Sequence, residues 1–254
     1  MRLTVIGCSG TMPGPDGPAS SYLVESQGFR LLVDCGNGAS GPVQRYTGLL
    51  GLDAVLITHV HADHCLDLGV FSFARRFAPG VTSTLPVYGP AGLPGRLFAA
   101  DSAPDDRLGD VYDFRTLTEG RRQIGPFAID LARMNHPVET YGARIMADGA
   151  SLTYSADTGE CQALVDLARH TDLLLCEAAF LTSPLNPPHL HLTGAQAGEH
   201  ATRAEAKRLV LTHIPPWVDP QESLAEAART YGGPTELARP GGTYELSVGS
   251  SDIP

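Results

Sequence analysis

The chain has 254 residues, 43% hydrophobic and 18% charged, with a formal net charge of −10. That is the composition of a globular protein, and no run of about 18 apolar residues is present that would span a bilayer. The negative charge works against gripping a polyanion over a broad basic surface, although a small phosphate ligand at a local positive site stays open.

The N-terminal "LTVIG" is too short for a signal-peptide core and reads as a first strand, so a cytoplasmic protein is expected. "SSYLVES" and "FRLLVDCG" form a hairpin around Ser-Gln-Gly, and "DAVLITH" is a further strand. "HCLDLGVFSFARRF" then carries apolar residues at helical spacing, which leaves the His-rich segment before it in a strand-to-helix loop. "LPVYG", "FAIDLARM", "YGARIMA" and "SLTYSAD" are predicted strands, and "ECQALVDLARH" is a predicted helix. Strand "DLLLCEA", helix "TGAQAGEHATRAEA", strand "RLVLTH", helix "PQESLAEAARTY" and strand "TYELSV" follow. No linker and no repeat interrupts this order, so residues 1–254 read as one mixed α and β domain, with "TMPGPDGPAS" and "SPLNPPHLH" as irregular loops. Five cysteines without a C-x-x-C pair suggest small buried hydrophobes, neither a disulfide framework nor a thiolate zinc site.

"LITHVHADHC" concentrates His59, His61, Asp63 and His64 directly after a buried strand. Imidazole nitrogens and carboxylate oxygens suit zinc and similar divalent ions. Four such groups from one loop favour two neighbouring ions, each taking two ligands there, the arrangement that clamps attacking and leaving oxygens in a displacement. The missing ligands stand at other strand ends: His136 in "RMNHPVET", Asp157 in "TYSADTGE" and His213 in "LVLTHIPP".

This set, in this order, resembles the metal-site signature of the metallo-β-lactamase superfamily. The resemblance spans nearly the whole chain and implies an α+β fold, a four-layer αββα sandwich with the site along one edge of the two sheets. It implies that His59, His61 and His136 hold one ion, that Asp63, His64 and His213 hold the other, and that Asp157 bridges them with a hydroxide. Zinc is the first expectation for the metals, with manganese or iron also compatible. "HLHLTGAQAGEHA" before "RLVLTHI" is similar to the ribonuclease Z-like branch, where a His-x-Thr element opens a helix. That similarity makes His191 a catalytic acid, counted with Asp63 and Glu177 as the catalytic residues. Glu177 in "LCEAAF" either orients His191 or is a buried, satisfied acid. Asp34 in "LLVDCGNG" resembles the family's Asp-x-Gly element and either receives the outer N–H of a liganding imidazole or caps a turn. His189 lacks the His-x-Thr register and reads as a loop residue, while His170 at a helix end and His200 in an exposed helix are assigned nothing.

Two divalent ions against Asp63, Asp157 and a hydroxide leave roughly one positive charge, which suits an anionic phosphodiester. A β-lactam or thioester hydrolase has no need of the extra acid at His191. The short interval from His64 to His136 shows no tRNA-gripping arm, and "IPPW" after His213 departs from the ribonuclease Z pattern. The run as a whole looks closest to bacterial proteins described as atypical class II cyclic-nucleotide phosphodiesterases. The resemblance thus implies a small-molecule phosphodiester substrate such as 3′,5′-cyclic AMP. It implies neither stable nucleic-acid binding nor a membrane, and a homodimer is compatible with it. A tRNA 3′-processing endonuclease, another small-ester hydrolase and a non-catalytic scaffold are the competing readings.

Overall fold

The computed structural model describes residues 1–100 and 108–247. The first half of the chain supplies β1 (Arg2–Gly7), β2 (Ser21–Ser26), β3 (Phe29–Val33), α1 (Gln44–Thr47), β4 (Ala54–Leu56), α2 (Ala62–Phe77), β5 (Leu85–Gly89), α3 (Leu93–Ala100) and β6 (Tyr112–Thr116). The second half supplies β7 (Gly120–Ile124), β8 (Phe127–Arg133), β9 (Tyr141–Ala147), β10 (Ala150–Tyr154), α4 (Gln162–Leu167), β11 (Leu173–Glu177), α5 (Gly194–Arg203), β12 (Leu209–Thr212), α6 (Pro220–Thr230), β13 (Thr235–Leu237) and β14 (Thr243–Glu245).

The strands form two seven-stranded sheets, ordered β14-β1-β2-β3-β4-β5-β6 and β13-β12-β11-β10-β9-β8-β7. Each joins an antiparallel part to a parallel one. In the first, β14, β1, β2 and β3 pair antiparallel and β3 to β6 parallel. In the second, β7 to β10 pair antiparallel and β10 to β13 parallel.

Strands apolar on both faces must be covered on both, and this dictates four layers. Leu31 and Val33 of β3 point into the space between the sheets, where they meet Leu152, Leu173, Leu175 and Val210. Leu32, between them in sequence, faces the opposite way with Leu68 and Phe71 of α2 and Leu97 of α3. Leu174 and Leu209 likewise face α4, α5 and α6, packing with Leu164, Ala197 and Ala227. The result is the expected αββα sandwich. No helix among the described residues is long and apolar enough to cross a membrane.

Several elements depart from the sequence expectation. α2 begins at Ala62, two residues before the predicted start at His64, so Asp63 sits in its first turn and not in the loop before it. α4 ends at Leu167, three residues short of His170, whose backbone is left-handed at φ 54°. α1, α3, β6, β7 and β13 had no counterpart in the sequence reading. Val248, in the predicted last strand, lies outside the described residues.

Candidate metal centre

Every sequence-predicted site residue converges at one end of the sandwich, where strands give way to loops. Asp34 follows β3, Thr58 and His59 follow β4, His136 follows β8, Asp157 follows β10, Glu177 ends β11 and His213 follows β12. Open sheets present ligands beyond the carboxyl ends of their parallel strands, and most of these residues occupy such ends. The chain bends sharply there. Asp34, Ala156, His189 and His213 have φ of 57°, 52°, 61° and 55°, left-handed values costing on the order of 1–3 kcal/mol each for non-glycine residues. Gly36 lets the segment after β3 pass under α2, since a Cβ there would lie 1.9 Å from the Asp63 carbonyl oxygen.

Two donor groups result. His59, His61, His136 and Asp157 place one ligand atom each within 4.8 Å of one another, as do Asp63, His64, Asp157 and His213. Asp157 belongs to both. Around a tetrahedral ion with bonds of about 2.1 Å, neighbouring ligand atoms lie roughly 3.4 Å apart. The observed separations bracket that value. His64 Nε2 is 3.2 Å from Asp157 Oδ1, His59 Nε2 and His213 Nε2 are each 3.5 Å from Asp157 Oδ2, and His136 Nε2 is 3.2 Å from His61 Nδ1.

Hydrogen bonding fixes which nitrogen faces inward. His64 donates Nδ1–H to Asp34 Oδ2 at 2.7 Å, and His136 donates Nδ1–H to the Leu190 carbonyl at 2.9 Å. His213 Nδ1 meets Ser20 Oγ at 2.9 Å and His59 Nδ1 meets Thr58 Oγ1 at 3.1 Å. The buried inward atoms His59 Nε2, His64 Nε2, His213 Nε2 and Asp157 Oδ1 have no hydrogen-bond partner among the described residues. Four such orphans within one buried group are costly unless something binds them, and lone-pair nitrogens around a shared carboxylate fit a divalent cation.

The electrostatics agree. Burial pushes His136 and His213 down to about 4 and lowers His61, keeping their lone pairs available at neutral pH. Burial opposes the charge on Asp157, yet His213, His64 and His59 hold its carboxyl well below the usual carboxylate range. Burial also disfavours a charged His64, but Asp157 and Asp34 outweigh it and raise its pKa well above the ordinary value.

His191 stands beside both groups, its ring 5.5 Å from those of His136 and of His213. Its Nδ1–H donates to Glu177 Oε1 at 2.9 Å. Glu177 is fully buried and accepts backbone N–H bonds from Thr158 at 2.7 Å and Ala179 at 3.2 Å, so its carboxylate is fixed in orientation. Burial resists protonation of His191, but the Glu177 charge and hydrogen bond prevail and raise its pKa to about 9. Thr193 caps α5 in a reciprocal pair with Gln196, as the His-x-Thr register implied.

One residue differs from the sequence reading, and several were missed by it. His200 is buried, not in an exposed helix face: Nδ1 donates to the Gln196 carbonyl and Nε2 accepts from Cys161 N. Ser20, Thr58, Tyr154 and the Leu190 carbonyl, which hold the imidazoles or Asp34, went unnoticed. Ser20 is 193 positions from His213, and a carbonyl carries no side-chain signal.

Residues 29–214 match the family described as the beta-lactamase superfamily domain. An uncharacterized protein of Mycobacterium leprae (strain TN) is 41% identical over 255 residues, covering 98% of this chain and 89% of that protein. Probable metallo-hydrolase YhfI of Bacillus subtilis (strain 168) is 31% identical across 96% of this chain and 100% of its own length. Its crystal structure superposes with a TM-score of 0.84 at 29% identity, covering 96% of this chain and 98% of that one. Ribonuclease Z of Myxococcus xanthus (strain DK1622) is 30% identical over 306 aligned positions, covering 98% of each protein. By this family match and these relatives the chain belongs to the metallo-β-lactamase superfamily, in the ribonuclease Z-like branch, and is a metal-dependent hydrolase.

Proposed function

We propose that the protein is a dinuclear metal-dependent phosphodiesterase acting on a small substrate, with a 3′,5′-cyclic nucleotide such as cyclic AMP as the leading candidate. His59, His61 and His136 would hold one divalent ion and Asp63, His64 and His213 the other, with Asp157 shared between them. Zinc suits these donors, and manganese or iron is compatible with them. Bound there, the ions supply Lewis acidity toward a phosphoryl oxygen and lower the pKa of water.

The observation that carries the reading is the His191–Glu177 pair beside both donor groups. An alcohol leaving phosphorus needs a proton, and His191, whose pKa the Glu177 carboxylate raises, is aimed by Glu177 and stands next to where the reacting phosphate must sit. Asp63, in the first turn of α2, adds negative charge to the second donor group and completes the catalytic set with His191 and Glu177.

A small substrate is favoured over RNA by the net charge of −10. The alignment with the Myxococcus ribonuclease Z also runs over 306 positions against 254 residues here, so that ribonuclease carries inserted segments this chain lacks. Its 30% identity is what favours the second reading, tRNA 3′-end processing. The test is kcat/KM of metal-supplemented protein for cyclic AMP, cyclic GMP, a 2′,3′-cyclic nucleotide, bis(p-nitrophenyl) phosphate and a tRNA precursor. A cyclic nucleotide is expected to lead. A higher value on the tRNA precursor would establish the endonuclease instead, and turnover of none of the five would overturn both.

A further inference from the structure

His189, which the sequence reading left as a loop residue, is held in place with unusual care. Its backbone is left-handed at φ 61°, and it packs so closely on Gly159 that a Cβ there would stand 2.7 Å from His189 Cα. Asn135, immediately before His136, fixes the ring. Its Nδ2 donates one hydrogen to the Glu160 carbonyl at 2.9 Å and lies 2.9 Å from His189 Nδ1. Because a carbonyl only accepts, the amide nitrogen must face Glu160, and its second hydrogen then points at His189. His189 Nδ1 is therefore the acceptor, and the ring's hydrogen resides on Nε2. Asn135 thus sets the tautomer and leaves His189 one ring donor, Nε2–H.

His189 and His191 line the same cavity, of about 470 Å³, a size usual for small-molecule sites. Its other ionisable lining residues are Glu160 and Glu199, and no Lys or Arg lines it among the described residues. Glu160 Oε2 already accepts from Gln196 Nε2 at 2.9 Å, so this wall too is ordered. A second phosphate would meet carboxylates there without a compensating cation. A neutral group bearing both acceptors and donors, such as the ribose 2′-hydroxyl or an aminopurine edge, would meet the His189 donor and the carboxylate acceptors.

We infer that this cavity is the leaving-group subsite, that it takes an uncharged, hydroxyl- or amine-bearing group, and that His189 is the donor that orients it. The inference rests on the phosphodiesterase reading and deepens it. It also gives a physical reason for preferring a single-phosphate substrate to a polynucleotide.

The test uses full-length, metal-loaded protein with cyclic AMP and with bis(p-nitrophenyl) phosphate, whose leaving group has neither hydroxyls nor amines. His189→Gly suits the left-handed backbone while deleting the ring, and His189→Asn tolerates that backbone while keeping a donor. His189→Gly is expected to raise KM for cyclic AMP about fivefold to tenfold, the ordinary worth of one hydrogen bond. Expected alongside are kcat within about twofold and unchanged kinetics on bis(p-nitrophenyl) phosphate, with His189→Asn recovering part of the loss. An equal loss on both substrates would mean that His189 only shapes the loop, and no loss on either would mean that the cavity is unused; each overturns the inference. A wild-type protein inert toward every phosphodiester would overturn the underlying reading as well, and the wild-type rate alone reveals that case.

Discussion

His64 and Asp34, 30 positions apart, form a fully buried hydrogen bond of 2.7 Å that turns the Nε2 of His64 toward Asp157. Asp34 is saturated: it also accepts from Thr58 N at 2.8 Å, from Thr58 Oγ1 and from Tyr154 OH at 3.1 Å. Its left-handed backbone is one that asparagine tolerates. Asp34→Asn should keep the fold but weaken metal binding by about 10–100-fold, the usual cost of losing the partner of a liganding imidazole. Competition with a chromophoric chelator measures it.

His213 depends in the same way on Ser20, which sits against Tyr22, itself bonded to Thr212 Oγ1 at 2.7 Å. Ser20→Ala removes one buried oxygen without creating a large void. It should weaken the ion held by Asp63, His64 and His213 about tenfold and spare the one held by His59, His61 and His136. Chelator-driven release should then become biphasic, whereas the wild-type ions should leave at more similar rates.

His191→Ala should retain the metals and lose about 10²–10⁴-fold in kcat, the range for a positioned proton donor. The pH profile carries the sign. A pKa raised to about 9 keeps the imidazolium present below that pH, so activity that needs its proton falls as pH rises through about 9. Glu177→Gln removes the charge that raises it, and the alkaline limb should move down toward the ordinary histidine value near 6.5. A limb that stays in place in Glu177→Gln would assign the titration to another group.

The space between the sheets is closed by side chains such as Leu152, which is 1% exposed. Leu152→Ala should cost about 2–5 kcal/mol in denaturant unfolding, as large-to-small changes in packed cores do.

The central strands and the ligands at their ends were legible because each signal was local. β3 and β11 carry the apolar runs Leu31–Val33 and Leu173–Cys176, Thr193 announces α5, and most of the ligand residues stand just after strands. β7 was not legible, because "GRRQI" is a mostly exposed edge strand held by pairing with β8, and no alternation marks it. α3 was obscured by Pro94 and Gly95 within its span. The parts of the site that escaped were those made by distant partners: Ser20 for His213, Tyr154 for Asp34, and Asn135 for His189. Each is a common polar residue whose role exists only once two remote loops are folded together.

The most direct test is the rate of cyclic AMP hydrolysis by metal-stripped protein titrated with zinc or manganese. The expected result is no activity without metal, a rate that rises until two equivalents per chain are bound, and an Asp157→Ala variant that binds less metal and stays inactive. Hydrolysis by the stripped protein, or full activity in Asp157→Ala, would contradict it.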